Sequence, residues 1–175
     1  MATDLRYPIG RFERHEAISE GQRSQFLDQI AEAPARLAAA VAGLSAAQLD
    51  TPYRPGGWTV CQLIHHVPDS HMNAYARFKL ALTEDEPTIK PYDEARWAEL
   101  ADAKTAPIEP SLALLGNLHK RWVALMRSMS PADWNRKFRH PESGTMRLDQ
   151  NLALYAWHGR HHVAHVTSLR ERNGW

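Results

Sequence analysis

Ten histidines in 175 residues, four of them within the last eighteen, are the feature of this sequence that can do chemistry. In the run Tyr155-Ala-Trp-His158-Gly-Arg-His161-His162-Val-Ala-His165 two i,i+4 pairs arise, His158/His162 and His161/His165. Imidazoles four residues apart share one helical face, with about 6 Å between their Cβ atoms, and can converge on one transition-metal ion. At about 100° per residue, His162 aligns with Tyr155, Val166 and Leu169, and His158 falls about 40° to one side. His165 lies about 60° off that line and His161 about 100° off, toward the flank. The apolar line must face the core, so His158 and His162 are the candidate ligand pair. Taken alone, an HxxxH motif fits a polar surface helix equally well.

A second segment supplies a third candidate. Gln62, His66, Ser70, Asn73 and Arg77 follow a 4-4-3-4 spacing and form one polar line along a helix, with His66 near its centre. The apolar residues Val60, Leu63, Val67, Ala74, Phe78 and Leu82 centre roughly 110° away. His66 is therefore a candidate third ligand, with the other polar residues expected beside the metal; the competing reading is a solvated face. His65, on the opposite flank, is expected to face solvent. His71 and His119 fall on apolar faces and are expected to be core histidines satisfied by hydrogen bonding, while His15 and His140 lie in irregular segments. Cys61 lies about 140° around the helix from His66 and is excluded as a co-ligand. Asp69, about 60° from His66, is the acidic residue nearest to it in sequence and is either a candidate base or a solvent-facing carboxylate.

Four amphipathic segments must position these groups. The first runs from about Ser19 to Leu44, with Phe26, Ile30, Leu37, Val41 and Leu44 on one face, and Pro34 is expected to kink or split it. Ser45-Ala-Ala-Gln-Leu reads as a short capped turn and Thr51-Pro-Tyr-Arg-Pro-Gly-Gly as a loop. Thr59 and Gln62 form a capping box at the start of the second helix, with Trp58 and Leu63 at the staple positions. That helix should run to about Leu82, with Pro68 as a kink. Glu84 to Pro110 reads as a long crossover with one turn around Asp93 to Leu100. The third helix spans Ser111 to Met129, and Ser130-Pro-Ala-Asp opens a short helix. Lys137 to Leu148, centred on Pro141-Glu-Ser-Gly144, reads as a small β-hairpin. The fourth helix runs from about Asp149 to Arg172, stopped by Asn173-Gly174. The expected fold is all-α, a four-helix bundle with a long crossover, as one domain over residues 1–175.

Composition narrows the partners. Hydrophobic residues make up 43% and charged residues 23%, as in a globular protein. The net charge of +1 creates no basic field for nucleic acid. There is no run of eighteen apolar residues to span a membrane, and the polar stretch from Met1 to Glu13 is not expected to act as a secretory signal. A single cysteine fits a reducing cytoplasm.

The string Gly57-Trp-Thr-Val-Cys-Gln-Leu-Ile-His-His66-Val-Pro-Asp-Ser-His-Met-Asn resembles the first metal-ligand segment of the DinB/YfiT-like superfamily. Arg77-Phe-Lys-Leu-Ala-Leu-Thr-Glu, Pro87-Thr-Ile-Lys-Pro-Tyr, the Tyr155–His165 run and Tyr7-Pro-Ile-Gly10 narrow the resemblance to the YfiT branch, over essentially the whole chain. The resemblance implies a metal-dependent hydrolase: a four-helix bundle holding one Zn²⁺ or Ni²⁺ per chain on three histidines, and a homodimer. The matching positions are His66, eight residues after Trp58, and His158/His162. Pro68 departs from the family pattern, where alanine is expected. Related members are thought to transfer a low-molecular-weight thiol such as bacillithiol to electrophiles.

Three neutral imidazoles leave a metal an open position, as a catalytic site requires. Two chemistries follow: hydrolysis of a small-molecule substrate by activated water, or delivery of a bound thiolate. Hydrolysis gains from a nearby carboxylate, whereas thiol transfer needs none. A non-enzymatic metal-binding stress protein is the third possibility and calls for a closed, fully protein-ligated ion.

Overall fold

The computed structural model describes residues 4–175; the first three residues of the polar N-terminal stretch lie outside the described residues. Helix α1 (Glu20–Val41) opens on a capping box in which Ser19 and Gln22 satisfy each other's backbone N–H groups. A short α2 (Ala46–Leu49) uses the same device with Ser45 and Gln48. Helix α3 (Val60–Thr83) is capped by Thr59 and Gln62, as its sequence predicts. The crossover holds two short helices rather than one turn, α4 (Glu94–Trp97) and α5 (Ala101–Thr105), before α6 (Glu109–Arg127). A 3-10 turn over Asp133–Asn135 leads to strands β1 (Lys137–His140) and β2 (Gly144–Arg147), and then to α7 (Leu148–Asn173). The hairpin is antiparallel, with Lys137 opposite Arg147 and His140 opposite Gly144.

Neither internal proline splits its helix: α1 continues through Pro34 and α3 through Pro68. Helices α1 and α3 each pack against both α6 and α7, so α1 lies opposite α3 and α6 opposite α7 across the bundle. The core divides into two apolar clusters. One gathers Ile30, Phe78, Trp122, Phe138 and Leu152, the other Leu37, Leu63, Ile64, Leu115 and Val166. On three of the four long helices histidines lie between or beside the two clusters: His66 and His71 on α3, His119 on α6, and His158 to His165 on α7. The apolar clusters thus clamp a polar layer from both ends and fix the height of each imidazole. Among the described residues no helix is long and apolar enough to cross a membrane.

Candidate metal centre

His66 from α3 and His158 and His162 from α7 meet across one helix–helix seam. His158 Nε2 lies 3.4 Å from His66 Nε2 and 3.2 Å from His162 Nε2, and all three offer ligand atoms within 4.8 Å of one another. Four-coordinate zinc holds imidazole nitrogens at about 2.0–2.1 Å, which in a tetrahedron separates them by about 3.3 Å. The donor set and its spacing therefore fit one divalent ion. Burial pushes the His66 ring down to about 4, and burial together with neighbouring imidazoles drives His158 and His162 well below the ordinary imidazole range. The rings are neutral, the state in which nitrogen lone pairs can ligate.

Local structure explains why these rings converge. A Cβ on Gly57 would meet Arg54 Cγ at 2.8 Å, so glycine permits the tight approach that places Trp58 just before α3. The Trp58 ring then packs 4.7 Å from the His66 ring, centroid to centroid. On α7, a Cβ at Gly159 would lie 3.2 Å from that of Ala33 and 3.8 Å from His71 Cε1. Glycine here lets α7 approach α1 closely, between the two histidines of the pair.

Behind His158 runs a chain of hydrogen bonds whose direction follows from one backbone group. His119 Nδ1 lies 2.7 Å from the Ile30 carbonyl oxygen, His71 Nδ1 lies 2.8 Å from His119 Nε2, and His158 Nδ1 lies 3.1 Å from His71 Nε2. A carbonyl only accepts, so His119 donates from Nδ1 and, being neutral, accepts at Nε2. His71 must then donate from Nδ1 and accept at Nε2, which obliges His158 to donate from Nδ1. The lone pair of His158 is thereby fixed on Nε2, the atom that faces His66 and His162. Burial holds His119 at about 4, against the raising effect of the Ile30 carbonyl, and drives His71 well below its ordinary value, as neutrality along the chain requires. The anchor has a sequence cause. Pro34 has no N–H to donate to Ile30 four residues earlier, so that carbonyl is released from the helical ladder and takes up His119.

His71 and His119 are core histidines, as their faces predict, and each makes two hydrogen bonds: His71 acts on His158 directly and His119 acts on it through His71.

 His65 departs from expectation: it is buried, with Nδ1 2.7 Å from Ser111 Oγ and Nε2 3.1 Å from the Ala106 carbonyl oxygen, tying α3 to the crossover rather than facing solvent. His161 and His165 are also buried, their Nε2 atoms 3.0 Å apart. His161 stacks on Trp157 at 4.3 Å between centroids. Cys61 points away from the centre, toward the Lys104 and Ala106 carbonyl oxygens.

The three histidines form one end of a cavity of about 340 Å³. Of the polar line on α3, Ser70 and Arg77 face this cavity. Gln62 and Asn73 do not: Gln62 is buried against the Ala98 carbonyl oxygen at 2.8 Å, and Asn73 donates to the Asp69 carbonyl oxygen at 2.9 Å. Asp69 is half-buried outside the cavity, its pKa raised by burial and by Asp102. Carboxylates come instead from two segments without a periodic signal, Glu94 of α4 and Glu142 of the hairpin turn. Tyr155, three residues before His158, completes the inner wall with its hydroxyl 3.4 Å from Ser70 Oγ. Burial raises the pKa of Tyr155, opposed by Arg77 and Ser70, so the phenol keeps its proton.

Residues 29–166 match the model of the DinB superfamily. The chain is 57% identical over 172 residues to a protein of Bacillus mycoides strain KBAB4 named "Putative metal-dependent hydrolase", covering 98% of this chain and 99% of that one. A protein of the same name from Bacillus cereus strain B4264 is 55% identical over the same length. The solved structure of YfiT from Bacillus subtilis, described as "a probable metal-dependent hydrolase with an unusual four-helix bundle topology", is 50% identical, with a TM-score of 0.96 over 98% of both chains. A four-helix bundle protein, TT2238, shares the fold at 20% identity, with a TM-score of 0.57 over 81% of this chain and 94% of that one. Fold, whole-length similarity and the family match agree: the chain belongs to the DinB superfamily, in its YfiT-like branch.

Proposed function

We propose that this protein is a metal-dependent hydrolase of a small molecule, with His66, His158 and His162 holding one Zn²⁺ or Ni²⁺ ion. The observation that carries the reading is the convergence of three neutral imidazoles, one with its tautomer fixed from behind, at the end of an open cavity. The names carried by the Bacillus relatives support it. When bound, the ion supplies Lewis acidity and lowers the pKa of water within its reach. The chain's own residues do the rest. Tyr155, protonated at neutral pH, donates its hydroxyl hydrogen to an oxygen of the substrate, and Ser70 orients that phenol. Glu94 and Glu142 are the lining carboxylates able to take a proton from attacking water. Trp58 and Trp157 narrow the cavity with apolar surface beside the histidines.

The zinc- or nickel-loaded protein is expected to cleave an activated ester without added thiol, and His162→Ala to abolish that turnover. Turnover of an electrophile that depends on a low-molecular-weight thiol would replace hydrolysis with thiol transfer. Metal retention with neither reaction would leave a metal-binding protein.

A further inference from the structure

The wall of the cavity carries a guanidinium that no carboxylate of the described residues pairs with. Arg77 is 9% exposed and lines the cavity. Among the described residues its guanidinium forms no ion pair. The glutamates of the same cavity, Glu94 and Glu142, are exposed at its rim and do not pair with it. The side chain is mostly buried, but its guanidinium nitrogens are not among the fully buried unpartnered atoms, so the charge faces the cavity, where an acceptor from a ligand or from water meets it.

A second donor lies beside it. His140 Nδ1 accepts from the backbone N–H groups of Glu142 at 3.2 Å and Ser143 at 3.4 Å. The neutral ring therefore carries its proton on Nε2, as a further donor in the cavity wall. Burial lowers the pKa of His140, and the nearby Arg77 charge lowers it further, against the opposing carboxylates of Glu142 and Glu94.

Arg77 lies eleven residues after His66, which returns it to within about 20° of the same helical face and about 16 Å along the axis. Its side chain leans back toward the helix N-terminus, toward the histidines. Ser70 and Tyr155 stand between. Along one wall the order is metal ligands, hydroxyl pair, guanidinium.

We propose that Arg77, assisted by His140, is a carboxylate-binding subsite, so that the substrate carries a carboxylate removed from its reacting group. A planar guanidinium favours the two-oxygen geometry of a carboxylate. The inference rests on the cavity being the reaction site and gives that site its substrate class.

The test uses the zinc-loaded protein, titrated calorimetrically with 3-phenylpropanoate and with the uncharged 3-phenylpropanamide. The acid is expected to bind about ten-fold or more tightly than the amide, as a charge-assisted contact implies. Arg77→Gln should erase that preference, bringing the affinity for the acid down to that for the amide. Equal affinities in the unmodified protein, a preference that survives Arg77→Gln, or no binding of either probe at millimolar concentration would each overturn the subsite. If Arg77→Gln does not fold, Arg77→Lys, which keeps charge but loses the planar fork, should lower the acid-to-amide ratio; an unchanged ratio counts against the proposal. Zinc content measured on the same samples separates the two readings. Retained zinc without acid preference overturns the subsite alone, whereas lost zinc with acid preference intact overturns the metal reading alone.

Discussion

Helix α7 carries two histidine pairs of identical spacing that end in different situations. His158 and His162 face His66 on α3, and His158 is backed by His71, His119 and the Ile30 carbonyl. His161 and His165 face each other at 3.0 Å between Nε2 atoms, beside Trp157 and Tyr53, and no third metal-ligating side chain joins them among the described residues. Spacing alone makes a pair of ligands; a third ligand and a support that fixes the tautomer make a metal site. The difference arises from rotation on the helix, since the first pair looks into the seam with α3 and the second toward the N-terminal segment and the loop that carries Tyr53.

Acid should expose both pairs. Burial holds His66 and His161 at about 4 and His165 at about 3, while an unfolded histidine titrates near 6.5. Between those values the unfolded chain binds more protons, so stability is full above pH 6.5 and falls as the pH drops toward 4. For His66 alone the loss is on the order of 3 kcal/mol at the acid end. Melting temperatures of the metal-free protein from pH 7 to 4 should decline steeply, and the double variant His161→Ala/His165→Ala should decline less steeply. A flat profile would mean that the imidazoles are not held neutral by burial.

A smaller effect separates the supported pair from the unsupported one. His119→Leu leaves His71 without its acceptor and frees the tautomer of His158. Metal affinity, measured by competition with a chelator, should fall about 10- to 100-fold while helix content is retained. His65→Ala removes a buried histidine that serves the crossover and should leave metal affinity unchanged. Equal losses from the two variants would reduce the chain behind His158 to ordinary core packing.

The smallest change concerns the approach of α7 to α1. In Gly159→Ala the new methyl group presses on Ala33 at 3.2 Å, with His71 next to it. Overpacking of about 1–3 kcal/mol is offset by the roughly 1 kcal/mol that alanine gains over glycine inside a helix, so stability should fall by up to about 2 kcal/mol in denaturant unfolding. A gain of about 1 kcal/mol, the full helix-propensity difference, would show that α1 gives way freely and that glycine is not required for the close approach.

Sequence reached the parts of this structure that depend on local geometry. Helical phase puts His158 and His162 on one face and His66 on a polar line of its own helix, because residues on one face of a continuous helix stay together whatever surrounds it; that the two lines meet is implied by the family resemblance and not by phase. Capping boxes at Thr59 and Ser45 are equally local, and the hairpin follows from its turn residues. What phase does not contain is the partner. His65 lies on a polar flank, and only the path of the crossover, which brings Ala106 and Ser111 over it, makes that flank an interior. The joining of His71 to His119 and His158 depends on four helices meeting at one height. Pro34 reads as a helix breaker, yet its structural consequence is a released carbonyl rather than a break. Tyr92, Glu94 and His140 enter the cavity from segments with no periodicity, so nothing in their spacing could assign them.

The proposed site requires the inward pair to bind the ion and the outward pair to take no part in holding it. Metal analysis of His162→Ala and His161→Ala, expressed and purified alongside the unmodified protein without chelators, tests it most directly. One ion per chain should be found in the unmodified protein and in His161→Ala, and essentially none in His162→Ala. Metal retained by His162→Ala and lost from His161→Ala would contradict the assignment.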